Sequence, residues 1–156
     1  MPIKGDDLAA EMRLLRDRVV GVTDVVVASA DGLLITAETD DAADPEVLAA
    51  LTAAAVGIAR RSGSATGKGP LRHTTARFSD GYLFAQAIGE LGLIAVLGDA
   101  GMDMKRLHLE TQGAAERIGS VLAPTAPAGP ADPRRAAESA ESAESAEPRE
   151  PAAPAG

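Results

Sequence analysis

The pattern of apolar and polar positions predicts two amphipathic helices, one at each end of residues 1–123. The first covers 6–20, is capped by Asp6 or Asp7, and repeats its apolar side chains at helical spacing, at Leu8, Met12, Leu15 and Val19. The second begins at Met102 or Asp103 and has the same kind of stripe over about five turns, at Met104, Leu107, Thr111, Ala114, Ile118 and Val121. Its charged residues Lys105, Glu110, Glu116 and Arg117 should be exposed.

Between these helices the pattern changes to short apolar segments separated by glycine-containing turns. Strands are predicted at 22–29, 33–36, 71–78, 82–88 and 91–97. Asp31-Gly32 and Asp80-Gly81 are turn signals, because glycine adopts a positive φ at little cost; we interpret both as structural. The run from Val25 to Ala28 does not alternate with polar residues, so this strand should be covered on both faces.

A third helix is predicted at 44–62, with Asp44 as N-cap, Pro45 in the first turn, and Arg60 and Arg61 in the last. Between Val47 and Ala59 it has no charged residue. One stripe, which we expect on the sheet, consists of Leu48, Leu51, Ala55 and Ile58. A second stripe of small residues, Ala50, Ala54 and Gly57 with Ala49 and Ala53 beside it, predicts a contact face for a second copy of the chain.

The element order α-β-β-α-β-β-β-α predicts an α+β fold with a five-stranded, mainly antiparallel sheet and helices on both faces. We assign this domain to residues 1–123. Residues 124–156 are rich in Pro, Ala, Glu and Ser and have little apolar bulk, so a disordered acidic tail is predicted there.

Composition argues against several kinds of function. The chain of 156 residues has a net charge of −8 and few aromatic residues, which does not favour nucleic-acid binding. There is no cysteine, and His73 and His108 lack metal-ligand spacing, so we expect no metal site. No catalytic or cofactor-binding residues are predicted, and we expect a non-enzyme. No secretion signal or membrane span is evident, so a cytoplasmic protein is expected, recruited to a membrane only through partners.

The segment 63–70 superficially resembles a phosphate-binding loop. It has three residues instead of four between its glycines and follows a helix, so we interpret it as a flexible connection. Arg60, Arg61 and Lys68, with Arg72 nearby, form the local basic cluster of an acidic protein. The first three are the predicted partner-binding residues; a cluster that simply balances the helix end is the alternative.

Several segments together resemble the roadblock/dynein light chain family. They are Leu14-Leu15, Gly21-Val22, the run from Val26 through Ser29-Ala30-Asp31-Gly32-Leu33-Leu34, the alanine-rich helix after Pro45, and the strands around Asp80-Gly81-Tyr82-Leu83-Phe84 and Leu93-Ile94-Ala95-Val96-Leu97. The resemblance covers about residues 6–122 and looks most like the actinobacterial conservon branch. It implies a homodimer in which the second helices lie side by side and the third strands pair edge to edge. The implied interface is Ala49, Ala50, Ala53, Ala54, Gly57, Arg72, Thr74 and Ala76.

The same resemblance implies a function. Roadblock proteins typically act on Ras-like small GTPases as scaffolds, effectors or activators, and a bacterial member stimulates GTP hydrolysis by its partner. We therefore expect a non-enzymatic homodimeric regulator that binds a small GTPase, with a sensor-kinase-like protein of the same operon as a further partner. A small-molecule or nucleotide sensor and a purely structural dimerisation module are the alternatives.

Overall fold

The computed structural model describes residues 4–40 and 43–123; the prediction of a disordered tail at 124–156 lies outside them. The elements run in the predicted order. They are α1 (Lys4–Arg18), β1 (Val22–Ser29), β2 (Leu34–Glu38), α2 (Pro45–Ala65), β3 (Thr74–Phe78), β4 (Gly81–Ile88), β5 (Gly92–Asp99) and α3 (Met104–Leu122). The strands form one sheet in the order β2-β1-β5-β4-β3, and every neighbouring pair is antiparallel. The predicted fold class is confirmed.

The centre of the sheet is the β1–β5 pair, which is buried on both faces. Val25 and Val27 of β1 point into a core formed with α1 and α3. Val26 and Ala28 point to the other face, into a smaller core formed with α2. Successive side chains of a strand alternate between faces, so the uninterrupted apolar run of β1 supplies both cores at once.

The apolar stripes predicted for α1 and α3 are confirmed. In α1, Leu8, Met12, Leu15 and Val19 are all buried, and so are Leu107, Thr111, Ala114 and Ile118 of α3. Glu110 is an exception, since its side chain is only 14% exposed. It accepts from Arg18 of α1 at 3.2 Å and from Arg106 of its own helix at 2.7 Å, so the expectation that it faces solvent is wrong.

The stripe predicted to pack α2 on the sheet is wrong in three of its four positions. Leu48 is buried, but Leu51, Ala55 and Ile58 are exposed. The helix is rotated so that Leu48, Ala49, Thr52 and Val56 face the strands. Leu51 and Ile58 are more apolar than Thr52 and Val56, which are buried in their place, so hydropathy alone does not give the observed orientation.

Helix boundaries also differ from the prediction. Asp44 caps α2 as expected, accepting from the backbone N–H groups of Glu46 at 3.0 Å and Val47 at 3.3 Å. The helix continues to Ala65, so the last turn contains no basic residue and the predicted dipole pairing of Arg60 and Arg61 is wrong. Helix α1 begins at Lys4, which places Asp6 and Asp7 inside its first turn instead of at the cap.

The two Asp-Gly turns need glycine for different reasons. Gly32 has φ 91°, as a tight turn requires. Gly81 does not have a positive φ; a Cβ there would collide with the carbonyl oxygen of Gly98 on the neighbouring strand. Close approach of two strands, not turn geometry, therefore requires glycine at position 81.

We predict that Gly81→Ala lowers the free energy of unfolding by about 1–3 kcal/mol, because the clash is with backbone and cannot be relieved by a rotamer change. Gly113→Ala is the control: it lies in α3, and its Cβ would meet only the flexible guanidinium of Arg117. Helix propensity should make that variant neutral or about 1 kcal/mol more stable. Urea unfolding of both variants measures this, and equal stabilities would contradict it.

Two buried threonines provide a second test of packing. Thr52 of α2 and Thr111 of α3 are both fully buried, but only Thr111 has a hydroxyl partner, the carbonyl oxygen of Leu107 at 2.8 Å. The hydroxyl of Thr52 has no hydrogen-bond partner among the described residues. Burial of an unpaired hydroxyl is destabilising.

We therefore predict that Thr52→Val stabilises the fold by about 1 kcal/mol, since it replaces the unpaired hydroxyl with a methyl group of similar volume. Thr111→Val should give no such gain. Thermal unfolding at one fixed chain concentration compares the pair. A gain at Thr111 that equals or exceeds the gain at Thr52 would refute this account of α2 packing.

Candidate interaction surface

The outer side of α2 is an exposed apolar surface. Val47, Leu51 and Ile58 are 52%, 62% and 67% exposed, and Ala54 is exposed between them. Positions 47, 51, 54 and 58 follow one another at steps of four, three and four, so their side chains lie on one side of the helix. This alternation of steps is that of a helix that packs along another helix. We call these four residues the outer face of α2.

The predicted small-residue stripe divides between the chain's own fold and the solvent. Ala49 is fully buried against the sheet, so its assignment to a surface for another chain is wrong. Ala53 packs on the same core, and a Cβ at Gly32 would come within 3.1 Å of its Cβ and 3.2 Å of the Cα of Ala50. Part of the small-residue character therefore lets the β1–β2 turn approach α2 closely.

The remaining small residues lie in the outer face or directly beside it. Ala54 and Gly57 are exposed, and a Cβ placed on Gly57 would have no heavy atom within 4 Å. Ala50 is also exposed, although its backbone contacts the turn. A helix approaching this side would meet short side chains beside long aliphatic ones.

Strand β3 forms one edge of the sheet. Its residues pair only with β4 among the described strands, from Thr74 opposite Ala85 to Phe78 opposite Gly81. Thr74 is half-buried, whereas Ala76 and Phe78 are exposed. The strand begins at Thr74, so the predicted interface residue Arg72 lies in the segment that leads into it. Helix α2 contacts β3, so the edge and the outer face belong to one region.

The predicted basic cluster is exposed and lies around one end of α2. Arg60, Arg61, Lys68 and Arg72 are all exposed, and none forms an ion pair with another described residue. Arg60 lines a groove with Glu90 of the β4–β5 turn, and Arg72 lines an adjacent groove that also includes Glu90. Arg60 and Arg72 therefore share a neighbourhood at this end of the molecule.

The structure brings together two histidines that sequence analysis treated separately. The Nε2 atoms of His73, just before β3, and His108, on α3, are 3.2 Å apart. Both rings contact the buried ring of Phe84, with centroid distances of 5.4 Å and 5.1 Å. Partial burial, and secondarily the charge of His108, lowers the pKa of His73. The two residues are far apart in the chain, and they meet because β3 pairs with β4 and α3 packs on β4.

Asp31 has a structural role, as its turn suggested. The hydroxyl of Ser29 donates to its carboxylate at 2.5 Å, and this hydrogen bond lowers the pKa of Asp31. The backbone N–H of Leu33 also donates to the Ser29 hydroxyl at 3.0 Å, which closes the hairpin. None of the three described helices has the length and apolar character needed to cross a membrane.

The domain is thus an α+β sandwich of three helices and five strands, and its second helix has an exposed apolar side. The family model described as Roadblock/LC7 domain matches residues 8–98. This chain belongs to the Roadblock/LC7 domain family.

Individual relatives extend this result. An uncharacterized protein of Methanocaldococcus jannaschii is 29% identical over 102 residues, which cover 65% of this chain and 89% of that protein. The crystal structure of a Roadblock/LC7 domain from Streptomyces avermitilis is 25% identical, with a TM-score of 0.69, and covers 72% of this chain and 95% of that one. The structure of Myxococcus xanthus MglB is 17% identical, with a TM-score of 0.68 and coverages of 74% and 87%, and shows likeness of fold.

Proposed function

We propose that this chain is a homodimeric regulator or scaffold that binds a Ras-like small GTPase and modulates its GTP hydrolysis. The observation that carries the proposal is the exposed outer face of α2, in which Val47, Leu51 and Ile58 are each more than half exposed. An exposed apolar patch of this kind is typical of a protein–protein contact. Membership of the Roadblock/LC7 family supports the choice of partner, through the function that the resemblance implies.

The geometry of the sheet supports a second copy as the first occupant. Five strands about 4.8 Å apart make a sheet roughly 20 Å wide, whereas a helix with its side chains is about 10 Å across. Helices α1 and α3 together cover one face, but α2 alone packs on the other. An α2 helix from a second copy, lying beside the first, would cover the rest of this face of the sheet.

One two-fold axis accounts for both exposed features. An axis perpendicular to the sheet at the edge of β3 pairs two β3 strands antiparallel and sets the two α2 helices side by side and antiparallel. The unpaired edge of β3 would then be covered as well.

The basic end of α2 suggests where the GTPase binds. Arg60 and Arg61 are exposed and unpaired among the described residues, in a chain with a net charge of −8. Charges at the rim of an interface steer and orient a partner more than they add affinity. In this proposal the dimer holds the GTPase through these residues, and the GTPase supplies the reactive groups.

We predict that Ala54→Arg converts the dimer into a monomer. The change sets two like charges against each other at the proposed two-fold axis, which costs several kcal/mol and should raise the dimer Kd at least ~100-fold. Light scattering during size-exclusion chromatography measures the mass. Ala10→Arg, at an exposed position of α1, is the matched control and should leave the mass unchanged. An intact dimer for folded Ala54→Arg would remove the outer face from the interface.

A second experiment tests the partner. The full chain, immobilised, should capture a small GTPase from an extract of its own organism supplemented with GDP or a non-hydrolysable GTP analogue. The double variant Arg60→Glu/Arg61→Glu should reduce capture at least about tenfold, because charge reversal at a rim slows association. Lys105→Glu, an exposed charge reversal on α3, is the control. Capture of no small GTPase in either nucleotide state would end the proposal.

A further inference from the structure

The contact between His73 and His108 has the separation of two ligands on one metal ion. Their Nε2 atoms are 3.2 Å apart. Two imidazole nitrogens bound to a tetrahedral Zn²⁺ at about 2.0–2.1 Å would be about 3.3 Å apart. The described residues already hold the two nitrogens at that spacing.

A contact of the other ring nitrogen, Nδ1, fixes the orientation of the His108 ring. Its Nδ1 lies 2.5 Å from the carbonyl oxygen of Met104, one turn earlier in α3. Donation to this carbonyl requires the proton on Nδ1, and in that tautomer Nε2 has a free lone pair on the side of the ring near His73. Histidines that bind metal ions characteristically donate their other ring N–H in this way, which sets the tautomer and the ring orientation.

The contact is poorly shaped as an ordinary hydrogen bond. The ring centroids are 4.6 Å apart and the ring planes lie at 78°. In a nearly linear N–H···N bond the rings would extend away from each other, so that the centroids would be roughly 2 Å further apart than the nitrogens. Here the difference between the two separations is smaller. The two rings meet edge to face, so neither nitrogen points along the line that joins the two Nε2 atoms.

We propose that His73 and His108 form a binding site for a first-row divalent transition-metal ion, with Zn²⁺, Ni²⁺ and Cu²⁺ as the ions of suitable chemistry. Imidazole suits these borderline ions, whereas Mg²⁺ and Ca²⁺ prefer oxygen ligands. Among the described residues, no group of three or more His, Asp or Glu side chains could hold an ion. In the proposed site the described residues supply two ligands, and water fills the other positions.

The surroundings leave room for a hydrated ion. Both histidines line an open groove together with Gln112 and Glu116, which follow His108 at successive turns of α3. Both histidine rings pack against the ring of Phe84, which is fully buried and therefore restricts their positions. An ion bound here would link the segment just before β3 to α3, the helix that packs on β4.

Zinc titration of the full 156-residue chain, produced without a polyhistidine tag, tests the site. Isothermal titration calorimetry should show one Zn²⁺ per chain and no binding of Mg²⁺. The variants His73→Asn and His108→Asn should each weaken Zn²⁺ binding by more than the ~10–100-fold that loss of an outer-shell partner costs. Gln112→Ala, in the same groove but not a ligand, should bind Zn²⁺ as the parent does.

Nuclear magnetic resonance of the parent protein gives a readout that does not depend on the variants folding. The chain has only two histidines, so Zn²⁺ should shift the ring signals of both, and chelation by EDTA should reverse the shift. Ring signals that do not move at saturating Zn²⁺ would overturn the proposal. So would Zn²⁺ binding that survives in folded His108→Asn, or Mg²⁺ binding of equal affinity, which would indicate a carboxylate site.

Discussion

The structure depends on the burial of the β1–β5 pair on both faces. Every residue of β1 from Asp24 to Ala28, and of β5 from Gly92 to Val96, is buried. Two cores on opposite sides of one sheet need separate covers, and the chain supplies α1 with α3 on one side and α2 on the other. The position of every helix follows from the need to exclude water from this pair of strands.

The two covers differ in chemistry. Helices α1 and α3 each present a single buried stripe, and two ion pairs join them, Arg117 with Glu11 at 2.7 Å and Arg18 with Glu110 at 3.2 Å. Each is an amphipathic helix whose apolar side is buried within a single copy of the chain. Helix α2 has apolar residues all round, and the sheet uses only the side that includes Ala49 and Val56. Its opposite side is not covered by the described residues, which is why we place the proposed interaction surface there.

The same difference limits what the sequence could predict. A helix with one apolar stripe has a defined orientation, so the buried residues of α1 and α3 were correctly identified from spacing. For α2 the exposed stripe with Leu51 and Ile58 is more apolar than the buried side with Thr52 and Val56, so hydropathy favoured the wrong orientation. The close approach at Gly32 that orients the helix is a tertiary contact with no local signal. The order of the elements along the chain and the turns were predictable because they rest on local apolar runs and glycine.

The histidine pair illustrates a different limit. His73 and His108 belong to segments with no sequence spacing in common, and they meet because antiparallel pairing sets the start of β3 beside β4, on which α3 packs. Helix α3 lies on the face of the sheet opposite to α2. A ligand at the histidines and a partner on the outer face of α2 would therefore occupy opposite faces of one domain. Strand β3 is the element next to both, because it follows His73 directly and α2 contacts it.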